Sequence, residues 1–123
     1  LLAREIRAAI DRAASGEAAG HAADLARTWD LIERVTSTRA AGPSDRALAN
    51  ASLYLDLVGH AVVAWMWLRQ AVAVREHPDA AFRAGKLQAC RYFFHYELPR
   101  ARAHAEVLLS LDPTLLDMRP DWF

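Results

Sequence analysis

Two long apolar blocks, residues 49–71 and 85–100, limit what this chain can fold into. Each block is longer than an ordinary strand and is rich in alanine and leucine, which favour helices. Each block also carries more aromatic side chains than one face of a small helical bundle needs. We therefore expect a second surface against which these side chains pack, supplied by another domain, a partner or a ligand.

The composition predicts a single domain that folds without disulfides or a structural metal. The chain has 123 residues, 54% of them hydrophobic, which is enough to bury a core without disulfides or metal. Its formal net charge is zero, so the basic footprint of a nucleic-acid-binding protein is missing. Cys90 is the only cysteine, which excludes an internal disulfide and a cysteine-based zinc site. We expect Cys90 to lie in the core and the protein to be cytoplasmic.

The ends and the apolar runs lead to two further expectations. The longest uninterrupted apolar run, residues 61–68, is far shorter than the ~20 residues of a membrane span, so we expect no span. The chain begins with Leu1 and not with methionine, and its first residues do not form a signal peptide. We expect residues 1–123 to be one helical domain, the C-terminal fragment of a longer polypeptide.

Helical periodicity extends over most of the chain, and no run alternates as a strand would. Apolar stripes predict helices over residues 2–13 and 22–35. The run Ala41-Gly42-Pro43-Ser44 predicts a stop and a restart. A third helix is predicted over residues 45–77, with its core stripe at Leu48, Ala51, Leu55, Val58, Val62, Trp65, Leu68 and Val72.

A fourth helix is predicted over residues 79–111. Pro99 removes a backbone donor inside it and predicts a kink near His95 and Tyr96. The tail, residues 114–123, is apolar enough to predict that it is docked and ordered. Together these elements predict an all-α protein, an antiparallel four-helix up-and-down bundle with two long central helices and a docked C-terminal tail.

Several polar residues within the apolar blocks are candidates for chemistry. A di-iron bundle needs Glu-x-x-His pairs, which are absent, and the nearest pattern is Asp56 with His60 at i, i+4. This pair could hold half of a metal site, but a hydrogen-bonded pair that orients the imidazole is the simpler interpretation. Glu97 has Arg91, Arg100 and Arg102 nearby, which favours a structural ion pair. We assign no catalytic and no metal-binding residue, and leave cofactor-binding residues unassigned.

The aromatic residues are better candidates for contact surfaces. Trp65 and Trp67 are two residues apart and so point to different sides of a helix. One side can face the core, whereas the other needs a partner. The complete set of predicted interface or structural residues is Tyr54, Asp56, His60, Trp65, Trp67, Arg91, Phe94, Glu97, Trp122 and Phe123.

The chain resembles the C-terminal helical domain of a branch of the acyl-CoA dehydrogenases similar to 3-methylmercaptopropionyl-CoA dehydrogenase, called acetyl-CoA dehydrogenase C-terminal-like. The resemblance is strongest over residues 45–123. The matching segments are Ala47-Leu48-Ala49-Asn50-Ala51, Tyr54-Leu55, Gly59-His60, Ala64-Trp65, Gly85-Lys86-Leu87, Tyr92-Phe93-Phe94, Glu97-Leu98-Pro99, Leu116-Asp117-Met118-Arg119 and Trp122-Phe123.

The resemblance implies a parent flavoenzyme that dehydrogenates the α and β carbons of an acyl-CoA and passes a hydride to FAD. It implies that FAD and the catalytic glutamate belong to the preceding dehydrogenase domains, so Glu97 is not taken for that base. The implied partners are those domains and further copies of the chain. The alternative left open is a free-standing helical module that binds a ligand, a metal or a protein through a pocket lined by Asp56, His60 and Glu97.

Overall fold

The computed structural model describes residues 1–123, and all of its regular elements are helical. The six α-helices are α1 (Leu2–Ala13), α2 (Ala19–Ala41), α3 (Ser44–Ala49), α4 (Ala51–Ala73), α5 (Ala80–Tyr92) and α6 (Arg100–Ser110). A short π-helix, Phe93–Glu97, joins α5 to α6, and a 3₁₀ turn, Pro120–Trp122, lies in the tail. The prediction of an all-α protein is confirmed.

The first two helices follow their predicted stripes. Ile6 and Ala13 are buried on α1, and Leu25, Ile32 and Val35 are buried on α2. Gly42 is the residue after α2, where its N–H donates to the carbonyl oxygens of Thr38 and Arg39. The amphipathic pattern was sufficient here because each helix has only one apolar side.

The third predicted helix, residues 45–77, is wrong as a single element. It is divided at Asn50, where the backbone leaves the helical region (φ −112°, ψ 37°), and it ends at Ala73. Asn50 is buried, and its side-chain amide donates to the carbonyl oxygen of Asp112 at 3.4 Å. Asparagine commonly interrupts helices because its side chain competes for backbone groups. The break brings the α3–α4 junction against the end of α6.

The fourth predicted helix is interrupted where Pro99 predicted a kink. Leu98 N–H donates to the carbonyl oxygen of Phe93 at 2.9 Å, which is the i to i−5 spacing of a π-helix. Pro99 then precedes α6, because its ring cannot fit within a continuing helix and it has no N–H to donate. The fourth predicted helix is therefore divided into α5, the π-helix and α6.

One core joins these helices. The two longest helices, α2 and α4, contact each other, and both also contact α1 and α6. The central pair is thus α2 and α4, and not the third and fourth predicted helices. Of the 22 buried residues, 19 form one cluster, and its members come from α1, α2, α4, α5, the π-helix and α6. Alanines, including Ala61, Ala64, Ala101 and Ala105, let α4 and α6 approach closely.

The prediction of a docked tail is wrong. All residues from 114 to 123 are exposed, and their apolar side chains lie outside the core cluster. The tail keeps local order: the N–H groups of Leu116 and Asp117 both donate to the carbonyl oxygen of Pro113, at 2.7 and 3.0 Å. Apolar composition predicted burial, but residues 114–123 find no place in the core of their own chain.

By length and composition alone, α4 qualifies as a candidate membrane span, with a mean hydropathy of 1.3 over 18 residues. One such helix is weak evidence, since central helices of bundles pass the same test. The inner side of α4 contacts α1, α2, α5 and α6. Only 22% of the apolar window is buried, so α4 presents apolar residues outward as well as inward.

We expect Gly85→Ala to raise the free energy of unfolding by about 0.5–1 kcal/mol, because glycine inside a helix costs backbone entropy. Gly85 lies within α5, and a Cβ there meets nothing within 4 Å. Gly42→Ala is the contrasting variant. Its Cβ would lie 2.8 Å from Leu111 Cδ1, so the Leu111 side chain would have to move. Urea unfolding of the two variants measures the difference; a destabilised Gly85→Ala variant would contradict this packing.

Candidate docking surface

The side of α4 that faces away from the bundle carries a row of apolar residues. We call this row the outer face of α4; it consists of Leu55, Gly59, Val63 and Met66. The spacing i, i+4, i+8, i+11 places all four on one side of a helix. Leu55 is 72% exposed, and Val63 and Met66 are each 43% exposed. The opposite side of the same helix buries Leu57, Ala61, Ala64, Leu68 and Ala71.

Gly59 makes the middle of this face concave. A Cβ at this position would meet nothing within 4 Å, so a partner backbone or side chain can approach the helix closely. Beside it lies an open depression of about 350 Å³, lined by Leu55, Asp56, Gly59, His60, Val63 and Phe93. The depression is largely apolar, with one carboxylate and one imidazole at its edge, which suits an apolar anchor and not a catalytic reaction.

The Asp56–His60 pair is oriented by the backbone. His60 Nδ1 lies 2.7 Å from the carbonyl oxygen of Asp56, and the Asp56 carboxylate forms no ion pair. The His60 ring meets the His104 ring edge-on at 6.1 Å, and the buried Nδ1 of His104 has no partner. No three histidine, cysteine, aspartate or glutamate side chains are grouped closely enough to hold a metal ion.

Trp65 and Trp67 lie on different sides of α4, as their spacing predicts, but both pack against the edges of the core. The Arg69 guanidinium lies 5.3 Å from the Trp65 ring centre, and the Lys86 ammonium lies 5.7 Å from that of Trp67. These cations cover the exposed ring faces. Neither tryptophan belongs to the outer face. Part of the excess of aromatic side chains therefore packs within the chain and does not need a partner.

Tyr54 and Phe94 also contribute to the bundle itself. The Tyr54 hydroxyl lies 2.8 Å from Thr36 Oγ1, and this contact joins α4 to α2. Phe94 is buried and stacks on His21 at 4.6 Å between ring centres. Burial is the main cause that lowers the pKa of His21, with a smaller repulsion from Arg91. His21 is thereby favoured as a neutral, stacking ring.

Glu97, Arg91 and the tail aromatics lie apart from this face. Glu97 forms an ion pair with Arg100 at 3.2 Å. Arg100 is one of the three nearby arginines from which the sequence predicted an ion pair. Arg91 lines a separate shallow depression with Tyr92 and Tyr96. Trp122 and Phe123 are exposed at the chain end, Phe123 by 94%. The structure therefore does not bring Glu97 together with Asp56 and His60.

Val63 and Met66 were missed in the sequence because α4 is apolar on nearly every side. A glycine between Leu55 and Val63 was an available signal, since an isolated glycine in a helix often marks a close approach. Cys90 is buried as predicted, and burial raises the pKa of its thiol to about 11. A thiol with that pKa is inert at neutral pH.

One of the comparisons with known proteins identifies a family. The family model for acetyl-CoA dehydrogenase C-terminal-like domains matches residues 2–119, so the match includes α1 and α2, where the resemblance was only generic. The comparison with curated proteins gave no match, and neither did that with solved structures. Because the family model covers nearly the whole sequence, the chain belongs to the acetyl-CoA dehydrogenase C-terminal-like family.

Proposed function

We propose that this chain is the accessory C-terminal domain of an FAD-dependent acyl-CoA dehydrogenase, which it braces by docking through the outer face of α4. The observation that carries the proposal is that Leu55, Val63 and Met66 lie uncovered in a row on a helix whose other side is buried. Family membership implies dehydrogenase domains as the partners. The domain itself has no catalytic role.

The energy available from this face is adequate for an interface within one polypeptide. Complete burial of a leucine, valine or methionine side chain is worth about 1.5–3 kcal/mol. Leu55 is 72% exposed and Val63 and Met66 are each 43% exposed, so each would gain only part of this value on docking. Together the three can form the apolar centre of a contact around the concavity at Gly59. Because a tethered domain loses less translational freedom on docking than a separate partner, a modest face is sufficient.

Some finer parts of the proposal come from the family resemblance: a parent of the 3-methylmercaptopropionyl-CoA dehydrogenase type acting in fatty acid metabolism, and a homo-oligomeric state. The cytoplasmic location rests on the single cysteine, and the up-and-down bundle of α1, α2, α4 and the α5–α6 unit rests on the helical periodicity. FAD is assigned to the preceding domains. The depressions of about 470, 540 and 580 Å³ in this chain are all open at the surface, which does not fit a flavin that is normally enclosed.

The alternative is a free-standing helical module that binds a ligand, metal or protein. It called for a closed pocket lined by Asp56, His60 and Glu97. Asp56 and His60 instead edge an open depression, and Glu97 pairs with Arg100. The geometry therefore favours the accessory domain.

The coding sequence upstream of Leu1 tests the choice between the two. We expect it to encode several hundred residues of dehydrogenase, and the complete polypeptide to be purified with bound flavin. The 123-residue chain alone should be colourless. Flavin bound tightly to the 123-residue chain, or an upstream sequence that encodes an unrelated protein, would contradict the proposal.

Hydroxyl-radical footprinting tests the docking face. We expect Met66 to be oxidised several-fold more slowly in the complete polypeptide than in the 123-residue chain, because the dehydrogenase body covers it. Tyr96, exposed on the π-helix, is the reference side chain and should keep its rate. Equal Met66 rates in the two proteins would show that the outer face of α4 is not the contact.

A further inference from the structure

The outer face of α4 ends, beyond Met66, between two cations. Gln70 and Ala73 follow Met66 at i+4 and i+7, so they extend the same side of the helix. Arg69 borders this side on one flank. Lys86 of α5 borders it on the other flank, where its ammonium donates to Gln70 Oε1 at 2.9 Å. The C-terminal end of the outer face therefore carries two positive charges.

Neither of these cations has a counter-ion within the chain. The Arg69 guanidinium and the Lys86 ammonium form no ion pair. Arg69 lies against the Trp65 ring, and Lys86 lies 5.7 Å from the ring centres of both Trp67 and Phe82. An aromatic ring holds a cation in place but leaves its charge uncompensated. Both charges are therefore available to a partner.

The surroundings of the two cations add positive charge. Helix α5 carries three basic residues, Arg83, Lys86 and Arg91, and no acidic one. The two acidic residues between α4 and α5, Glu76 and Asp79, form no ion pair. The Asp79 carboxylate caps α5, where it accepts a backbone N–H at 3.0 Å. This end of the face is thus locally positive, although the formal charge of the whole chain is zero.

The opposite end of the outer face carries a negative charge. Asp56 is exposed at the edge of the depression beside Gly59, and its carboxylate forms no ion pair. Asp56 and Arg69 are separated by about 20 Å along α4. Neither lies in a terminal turn of the helix, so the helix macrodipole, which acts within those turns, does not account for their placement. The outer face thus has a negative end, an apolar middle and a positive end.

We propose that the dehydrogenase domains meet this face with the complementary order of charges: carboxylates opposite Arg69 and Lys86, and a cation opposite Asp56. This inference rests on the proposed function, because it names the chemistry of the partner at the same face. The aliphatic row by itself is nearly alike when followed in either direction along the helix. The charges at its two ends therefore decide the direction in which the domain docks.

The need for carboxylates on the partner follows from desolvation. A body that covers Val63 and Met66 also removes water from Arg69 and Lys86, which border the same end of the row. A charge that loses its water without gaining a counter-charge costs free energy that would offset the burial of the aliphatic side chains. The dehydrogenase domains are the occupant that family membership implies, so the carboxylates belong to their surface.

Charge reversal in the complete polypeptide tests the inference by hydroxyl-radical footprinting. One variant is Arg69→Glu with Lys86→Glu, and the other is Asp56→Arg. In both, Met66 should be oxidised several-fold faster than in the wild type, because like charges then meet at the contact. Raising the ionic strength to about 1 M, where charges are screened beyond about 3 Å, should speed Met66 oxidation in the wild type. The same change should not speed it in the Arg69→Glu, Lys86→Glu variant, which has lost the attraction.

Two controls separate charge from packing and from net charge. Arg69→Lys with Lys86→Arg keeps both charges and should keep the wild-type rate at Met66. Arg34→Glu with Arg102→Glu reverses two exposed arginines that line a depression to which α4 contributes no residue, and it should also keep that rate. Circular dichroism checks that every variant is folded. Protection of Met66 that survives reversal at either end would overturn this inference and leave the proposed function intact. A wild-type polypeptide in which Met66 is as reactive as in the 123-residue chain would overturn both.

Discussion

Leu57→Ala is expected to lower the free energy of unfolding by about 2–5 kcal/mol, the usual cost of truncating a fully buried leucine. Leu57 is 0% exposed on the inner side of α4. Removing its branched end leaves a cavity that α1, α2 and α6 can only partly fill, because close-packed helices move little. Urea denaturation of the 123-residue chain measures the loss.

Leu55→Ala is the matched control. It makes the same chemical change two residues earlier in the same helix, but Leu55 lies on the outer face. We expect a change within about 0.5 kcal/mol, as for other exposed sites. The periodicity of the sequence placed Leu55 in the core stripe, so equal losses, or a larger one at Leu55, would mean that α4 is rotated relative to this structure.

The stability of the fold is expected to decline between pH 9 and about 11 because of Cys90. Burial of the thiol, which is 1% exposed, raises its pKa from 9.0 to about 11 in the folded chain. The stabilisation that follows from this raised pKa is complete below pH 9 and is lost as pH rises through about 11, because the unfolded chain releases its thiol proton first. The loss amounts to at most about 3 kcal/mol.

Cys90→Ala isolates the effect of the thiol from every other change that alkaline solution causes. The variant will have its own stability at pH 8, so the quantity to compare is the change from pH 8 to pH 11. We expect a smaller change in Cys90→Ala than in the wild type. Parallel pH profiles for the two proteins would show that the thiol ionises in the folded state as easily as in the unfolded chain.

The predictions from the sequence were successful where one signal dominated. A single apolar stripe located the buried residues of α1 and α2, and Pro99 located the interruption before α6. The prediction of a continuous third helix was wrong because the Asn50 amide finds a partner in Asp112, 62 residues away along the chain. A pattern local to α3 and α4 contains no information about that partner.

The docking surface was harder to predict than the fold. Trp65, Trp67 and Tyr54 were chosen because they are aromatic, but cations and the Thr36 hydroxyl engage them within the domain. Val63 and Met66 carry the exposed row, and they resemble core residues in every respect except their position on the helix.

The amino-acid sequence alone determined the helical class and the family, since these depend on periodicity and ordered motifs. The tertiary structure decided which side of α4 faces inward and that the tail remains uncovered. A helix that is apolar all round has no preferred side until its neighbours are in place. The core of Leu57, Ala61, Ala64 and Leu68 against α6 therefore selects the outer face of α4.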